Sequence, residues 1–431
     1  MPLPDTTYYL ATAPQLDLPP LQGEHRAEVA VLGAGFAGLA VARGLQERGI
    51  AQVAVLEAHE VGHGASGRNG GFVFGGYSRD PARLLADWGP GTARSLYGLT
   101  RDAVALIRRR IETLGIDCDR VEGGAWWVDW FNTQRSRRDM AAQAQLMAEH
   151  FGVRWDALSP AEVRAGLATQ RYGGALVERD AFHFHPLRYA QGLARAVAAQ
   201  GGAVHPRSPV MRIEPQGNEW LLHTPQGRLR APQLVVAGGG YLHKVLRPLE
   251  RARLPIATYV LATEPLAEHP VRTPAAVYDN RFAFDYYRRP PDGRLLWGGR
   301  ISILERHPDR IAQLLKADLL KVYPQLADAR IDHAWGGLMS YATHQMPQLG
   351  RLSDGLWFAQ AFGGHGVAPT TVAGELLAEA IARGGALDAA WQRYGLMPVF
   401  GRLGLLGAQA QYSWAELKDA LHEGLGGRSL H

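Results

Sequence analysis

The stretch Glu28-Val-Ala-Val-Leu-Gly-Ala-Gly-Phe-Ala-Gly38, with Gln52-Val-Ala-Val-Leu-Glu57 after it, decides the fold. Two short apolar runs, Glu28 to Leu32 and Gln52 to Leu56, read as buried strands. Leu39 to Arg48 between them reads as a helix that stops at Gly49. Continuous apolar strands of this kind belong to a parallel sheet covered on both faces. Gly33, Gly35 and Gly38 spell G-x-G-x-x-G between strand and helix. Gly33 makes the tight turn. Gly35, with no Cβ, lets backbone approach a pyrophosphate, and Gly38 lets the helix pack closely on the strand. The helix opens at Phe36 and Ala37, where free N–H groups offer partial positive charge to phosphates. Glu57 sits 19 residues after Gly38, at the end of the second strand, with Ala58 beside it. A carboxylate there accepts hydrogen bonds from ribose hydroxyls and disfavours a 2′-phosphate, which argues against NADP.

Composition bounds the rest. A chain of 431 residues is too long for one small core, so two or three domains are expected. Hydrophobic residues at 46% and charged residues at 20% fit an ordinary globular protein and exclude disordered and fibrous classes. The formal charge is +5, but the basic residues are scattered apart from Arg108-Arg109-Arg110. No basic stripe with interleaved aromatics is present, so no nucleic-acid partner is expected. The one cysteine, Cys118, has no partner for a disulfide or metal site, so no metal is expected and a reducing compartment fits. Residues 1–26 lack the pattern of a signal peptide. The most apolar stretch, Val29 to Leu45, is cut by four glycines and Arg43 and falls short of a membrane span. A cytoplasmic location is the expectation.

Further along, residues 92–170 read as mostly helical around Trp126, Trp127 and Trp130. A helix follows Pro186 to Gln200, and residues 203–240 read as a meander leading into the buried strand Leu234 to Ala237. Ala283 to Arg288 and Leu295 to Arg300 flank Asp292-Gly293, a hairpin signal. A helix is expected near 307–322. The strand Trp357 to Gln360 precedes a glycine turn, Gly363 to Gly366, which opens a helix running to Arg383.

The glycine motif alone does not separate FAD from NAD. The next segment does: Gly64-Ala65-Ser66-Gly67-Arg68-Asn69-Gly70-Gly71 follows Glu57 closely. Here the chain resembles the D-amino-acid-oxidase-like superfamily of FAD oxidoreductases, and in particular the gamma-glutamylputrescine oxidase-like amine oxidases, whose loop is typically spelled this way. The resemblance covers nearly the whole chain. It includes Tyr8-Tyr-Leu-Ala-Thr-Ala13, His185-Pro186, Leu234 to Gly239, Asp292-Gly-Arg294 with Gly298-Gly299, Trp335-Gly-Gly337, Pro347 with Gly350, and Gly363-Gly-His-Gly-Val367. Physically, the loop's glycines let backbone N–H groups face a cofactor at close range. The Ser66 hydroxyl can donate to a phosphate, and Arg68 and Asn69 can reach the flavin side.

The resemblance implies non-covalent FAD, with Val210 near the adenine edge and Gly238 also at the cofactor. It places Gly363, Gly364, His365, Gly366 and Val367 at the pyrimidine edge of the flavin ring. A helix N-terminus there stabilises the negative charge of the reduced ring. Trp335, Met339, Tyr341 and Thr343 either wall the same pocket or belong to the core. The implied reaction takes a small amine, of polyamine or gamma-glutamyl amine type, to an imine that hydrolyses to an aldehyde. Oxygen or another acceptor would take the electrons. The reacting nitrogen must be neutral, so a base or a pocket that lowers its pKa is needed. His365, His185 and His183 are the catalytic candidates. Tyr286 and Tyr287 alternate with Phe282 and Phe284, so one set should face the pocket and the other the domain core.

The expected fold class is α/β (α+β): a Rossmann-type FAD-binding domain with a discontinuous substrate domain built on a largely antiparallel sheet. Residues 1–26 form a lead-in. Residues 27–90, 172–250 and 332–385 form the FAD-binding domain, residues 91–171 and 251–331 the substrate domain, and residues 386–431 a helical tail. The first alternative is a D-amino acid or glycine-type oxidase or dehydrogenase, which needs an Arg for the substrate carboxylate; Arg288 and Arg300 are the candidates. The second is an NAD-linked dehydrogenase, and the third a non-enzymatic flavin-binding protein.

Overall fold

A computed structural model of the chain describes residue 3 and residues 6–426. The outer parts of the expected lead-in and tail (residues 1, 2, 4, 5 and 427–431) lie outside these described residues.

The two apolar runs form parallel neighbours, Val29–Leu32 and Val53–Leu56, in a six-stranded sheet. Its order is Ala203–His205, Val53–Leu56, Val29–Leu32, Gln233–Val236, Leu356–Gln360, Gln348–Ser353. The first five run parallel and the last pairs antiparallel. Alternate side chains serve two different cores. Val29, Val31, Val53 and Val55 pack with the helices Phe36–Gln46, Pro186–Ala199 and Val367–Arg383. Ala30, Ala54, Leu56, Leu234 and Val236 pack against Leu222 and Leu229. Those two residues come from a four-stranded sheet ordered Gly23–Arg26, Gly227–Ala231, Glu219–His223, Arg212–Gln216. Both faces are therefore covered, one by helices and one by the meander.

The second domain is an eight-stranded sheet, mostly antiparallel. Its order is Ile331–Tyr341, Leu254–Thr263, Leu296–Ser302, Tyr286–Arg288, Ala276–Asp279, Ala125–Val128, Ala175–Glu178, Asp156–Leu158. The helix Pro308–Val322 buries Ile311, Leu315 and Leu319 against its outer face, with Tyr287, Trp297 and Tyr259. Trp126 and Trp127, expected in a mostly helical stretch, lie on one of its strands.

Three pieces fall elsewhere than their expected boundaries. Ile331–Tyr341 and Ala175–Glu178 belong to the substrate sheet, because each completes a ladder there, the first along the whole of Leu254–Thr263. The helix Pro81–Thr113, kinked at Gly89 with φ 71°, buries Leu96, Val104 and Ile107 in the core of the cofactor side. The lead-in is not wholly extended: Tyr8–Thr12 is a short helix capped by the Thr7 hydroxyl, which accepts from Leu10 N–H. The tail carries the helices Ala389–Gln392 and Arg402–Gly426.

Candidate functional site

The site starts at the turn after the first strand. Gly33 has φ 108°, a backbone state that L side chains rarely adopt. A Cβ on Gly38 would lie 1.9 Å from the Gly33 carbonyl oxygen, so only glycine allows this approach of helix to turn. Gly35 is the N-cap of the helix Phe36–Gln46 and makes no side-chain cap. Instead the Ser66 hydroxyl oxygen accepts from Phe36 N–H at 2.8 Å, which leaves its own hydrogen to donate. Glu57 accepts from Ala34 N–H at 2.9 Å and His59 N–H at 3.0 Å, one on each carboxylate oxygen. Burial pushes its carboxyl upward, and these amides oppose the shift.

The loop Gly64–Gly71 is tied down at several points. Arg68 donates to the His63 carbonyl at 2.9 Å and, across to the substrate sheet, to the Gly336 carbonyl at 3.1 Å. Trp335 Nε1 donates to the Arg68 carbonyl at 3.0 Å. The Asn69 amide folds its own loop, donating to the Ala65 and Ser66 carbonyls and accepting from Gly71 N–H. A Cβ on Gly70 would meet the Tyr286 ring at 2.6 Å, and one on Gly71 the Phe184 carbonyl oxygen at 2.3 Å.

At the second glycine turn, Gly363 has φ 63° and a Cβ there would lie 2.2 Å from Ser78 Oγ. His365 N–H donates to that oxygen at 3.3 Å. The His365 ring meets the Phe74 ring edge-on at 4.6 Å between centroids. Burial pushes its pKa down to about 4, so the ring is neutral near pH 7.

One cavity of about 1460 Å³ joins these parts. Gly33, Gly35, Phe36, Ala37, Glu57, Ala58, Val210 and Gly238 line it. Gly64, Ala65, Ser66, Arg68, Asn69 and Gly70 line it as well, and so do Gly363, Gly364, His365, Gly366 and Val367. Gly38 and Gly71 sit behind the lining, where they permit close backbone packing. Met339, Tyr341 and Thr343 also line the cavity, whereas Trp335 is buried behind it.

The other two histidines are placed elsewhere. His185 caps the helix Pro186–Ala199, its Nδ1 accepting from Arg188 N–H at 3.2 Å, and its Nε2 meets Thr12 Oγ1 at 3.1 Å. His183 Nε2 lies 3.0 Å from the Pro274 carbonyl oxygen. Both are buried and neither lines the cavity; burial lowers both pKa values. Cys118 is also buried away from the cavity, its thiol pushed up to about 12. Arg288 is 1% exposed and joins Gly70 and Tyr9; Arg300 reaches the cavity but is ion-paired with Asp318 at 2.6 Å. In the run Phe282 to Tyr287 the tyrosines part: Phe282, Ala283, Phe284 and Tyr286 line the cavity, while Tyr287 stacks on Trp297 at 4.5 Å.

Several lining residues escaped the sequence reading, among them Phe74, Ser78, Tyr97, Glu178 and Tyr278. Gly75-Gly76 beside Phe74 was a local hint; Glu178 had none, since only strand pairing brings it there.

The cavity fits FAD. It exceeds the roughly 300–1,000 Å³ of an ordinary small-ligand pocket, as a dinucleotide plus substrate requires. It also presents a helix N-terminus, an acceptor carboxylate and a glycine-lined wall, as a dinucleotide needs. Among the described residues no metal-binding cluster occurs, and no helix is long and apolar enough to cross a membrane.

Comparison with known proteins agrees with this geometry. The FAD dependent oxidoreductase (DAO) family model matches residues 28–380. Gamma-glutamylputrescine oxidoreductase of Escherichia coli is 35% identical over 380 residues, 87% of this chain and 88% of that protein. The probable oxidoreductase OrdL of Haemophilus influenzae is 31% identical over 388 residues, with the same shares covered. Among solved structures, glycine oxidase from Geobacillus kaustophilus has a TM-score of 0.71 at 21% identity, covering 86% of this chain and 99% of that one. This last likeness is one of fold.

Proposed function

We propose, for a chain that belongs to the DAO family of FAD-dependent oxidoreductases, that it oxidises the C–N bond of a small amine to an imine, which water then hydrolyses to an aldehyde. Membership removes the NAD-linked alternative; FAD-dependent oxidation of an amine or amino acid is the activity class. The preference for an amine over an amino acid, whose carboxylate sits on the carbon that is oxidised, rests on one observation. The two arginines singled out for a substrate carboxylate are both committed, Arg288 inside the protein and Arg300 to Asp318, while the cavity wall beside them is aromatic.

In this reading the Gly33–Gly38 turn and the N-terminus of the helix Phe36–Gln46 hold the pyrophosphate, Glu57 the ribose, and the Val210 side the adenine. The loop Gly64–Gly70 and the turn Gly363–Val367 flank the ring system. Bound FAD supplies the two-electron acceptor for the C–N bond. The chain's part is to present the amine neutral and oriented. Phe74, Phe284, Tyr286 and Tyr341 make a wall that strips water from the nitrogen and so lowers its pKa. His365, uncharged at neutral pH, adds a polar contact to that wall without a competing cation. His183 and His185, outside the cavity, serve as structural supports rather than bases. Oxygen or another acceptor removes the electrons afterwards.

The test is anaerobic bleaching of the bound flavin by a panel of monoamines, diamines, gamma-glutamyl amines and D-amino acids. Fast bleaching by amines supports the reading. Bleaching by amino acids alone moves the assignment to the amino-acid oxidase alternative.

A further inference from the structure

One end of the cavity carries a carboxylate with no ionic partner. Glu178 ends the strand Ala175–Glu178 and is 9% exposed, yet it lines the cavity. Among the described residues its side chain accepts one hydrogen bond, from Gly75 N–H at 3.2 Å, and forms no ion pair. Arg101 is the cation nearest in effect, and it pairs at the surface with Asp180 at 3.5 Å. Burial pushes the Glu178 carboxyl up to about 7, the penalty of holding an unpaired carboxylate away from water, so near neutral pH it is only partly ionised. A cation arriving from the cavity removes that penalty.

The surroundings suit a cation, with Tyr97 and Tyr278 within electrostatic reach of Glu178. Phe74, Tyr97, Tyr278, Trp127 and Trp155 line the cavity with Glu178. Phe74 and Tyr278 stack at 5.8 Å, and Trp127 and Trp155 meet edge-on at 6.0 Å. Ring faces attract ammonium groups, more so where water is excluded. Phe74 also meets the His365 ring at 4.6 Å, so the residue next to Gly75, the hydrogen-bond donor to the carboxylate, touches the Gly363–Gly366 turn.

We propose that Glu178 and this aromatic box form a cation subsite for a second ammonium of the substrate, several bonds from the nitrogen that is oxidised. The inference rests on the amine reading of the site and sharpens it: the substrate is a chain bearing two amino groups, one held charged at Glu178 and one held neutral at the reacting end. No covalent step occurs at Glu178. It sets which amine binds and in which direction.

The purely structural role of Glu178, accepting from Gly75 N–H, is one that glutamine fills equally well, so Glu178→Gln separates the two roles. The measurement is anaerobic flavin reduction of the holoenzyme by butane-1,4-diamine and by butylamine, each over a range of concentrations. The wild type should half-saturate at much lower diamine than monoamine. In E178Q that preference ratio should fall by roughly ten- to hundred-fold, the loss of one charged hydrogen-bonding partner. The change should lie in half-saturation more than in limiting rate, and Glu178→Asp should restore part of it. Flavin content of each variant reports folding. A ratio unchanged in E178Q, or a wild type without diamine preference, overturns the subsite while the amine reading stands. If neither these amines nor the wider amine panel reduces the flavin, both fall.

Discussion

The Arg288 guanidinium, 1% exposed, donates through Nε to the Gly70 carbonyl at 2.6 Å. A second arm reaches the Tyr9 hydroxyl at 3.1 Å, and Tyr9 in turn donates to the Asn69 carbonyl at 2.8 Å. One side chain of the substrate sheet thus holds two carbonyls of the cofactor loop, directly and through a phenol.

Arg288→Met keeps the buried stem and removes both arms. It leaves the Gly70 carbonyl without this donor, at a cost of about 1–3 kcal/mol. We expect a lower urea midpoint with an unchanged slope, and flavin lost on gel filtration. A variant that keeps both midpoint and flavin would show that the loop holds itself.

Helix-to-helix contact sets the second expectation. A Cβ on Gly374 would lie 2.4 Å from Ala40 Cβ and 2.7 Å from the Ala40 carbonyl carbon. The helices Phe36–Gln46 and Val367–Arg383 must part to admit it, and the N-termini of both line the cavity. Gly374→Ala should cost about 1–3 kcal/mol in chemical denaturation despite its better helix propensity. A stabilised variant would contradict the close approach.

For Glu57→Gln the measurement is flavin titration of the apoprotein. Glutamine retains the shape, loses the charge and offers one carbonyl oxygen where Glu57 accepts from two amides. FAD affinity should drop by roughly ten- to hundred-fold, the equivalent of one charged hydrogen bond. Equal affinity would remove Glu57 from the ribose site.

Acid stability follows from His185. Burial lowers its pKa from 6.5 to about 3 in the folded chain. Between those values the unfolded chain holds a proton that the folded one does not, so stability falls as pH drops below 6.5. At pH 5 this amounts to about 2 kcal/mol relative to pH 7, at about 1.4 kcal/mol per unit. His185→Asn keeps an N-cap for the helix and removes the titration. The variant should therefore lose about 2 kcal/mol less than the wild type between pH 7 and pH 5, read from urea midpoints. Parallel losses would place the acid sensitivity elsewhere.

By itself the sequence determined the local units. Gly33 to Gly38, Glu57, Gly64 to Gly71 and Gly363 to Val367 were readable because each depends on neighbours in the chain: a strand, a tight turn, a helix start. The grouping of Tyr286 with Tyr287 did not hold: Tyr286 lines the cavity with Phe282 and Phe284, and Tyr287 stacks on Trp297. Tertiary structure alone decided matters of pairing and burial. It put Ala175–Glu178 and Ile331–Tyr341 into the substrate sheet, because a strand's sheet is fixed by hydrogen-bond partners far away in sequence. It turned His185 into a buried helix cap, committed Arg288 to the cofactor loop, and left Glu178 facing the cavity without a cation. A residue's charge is written in its type, but whether that charge is paired, solvated or waiting for a ligand depends on what the folded chain packs against it.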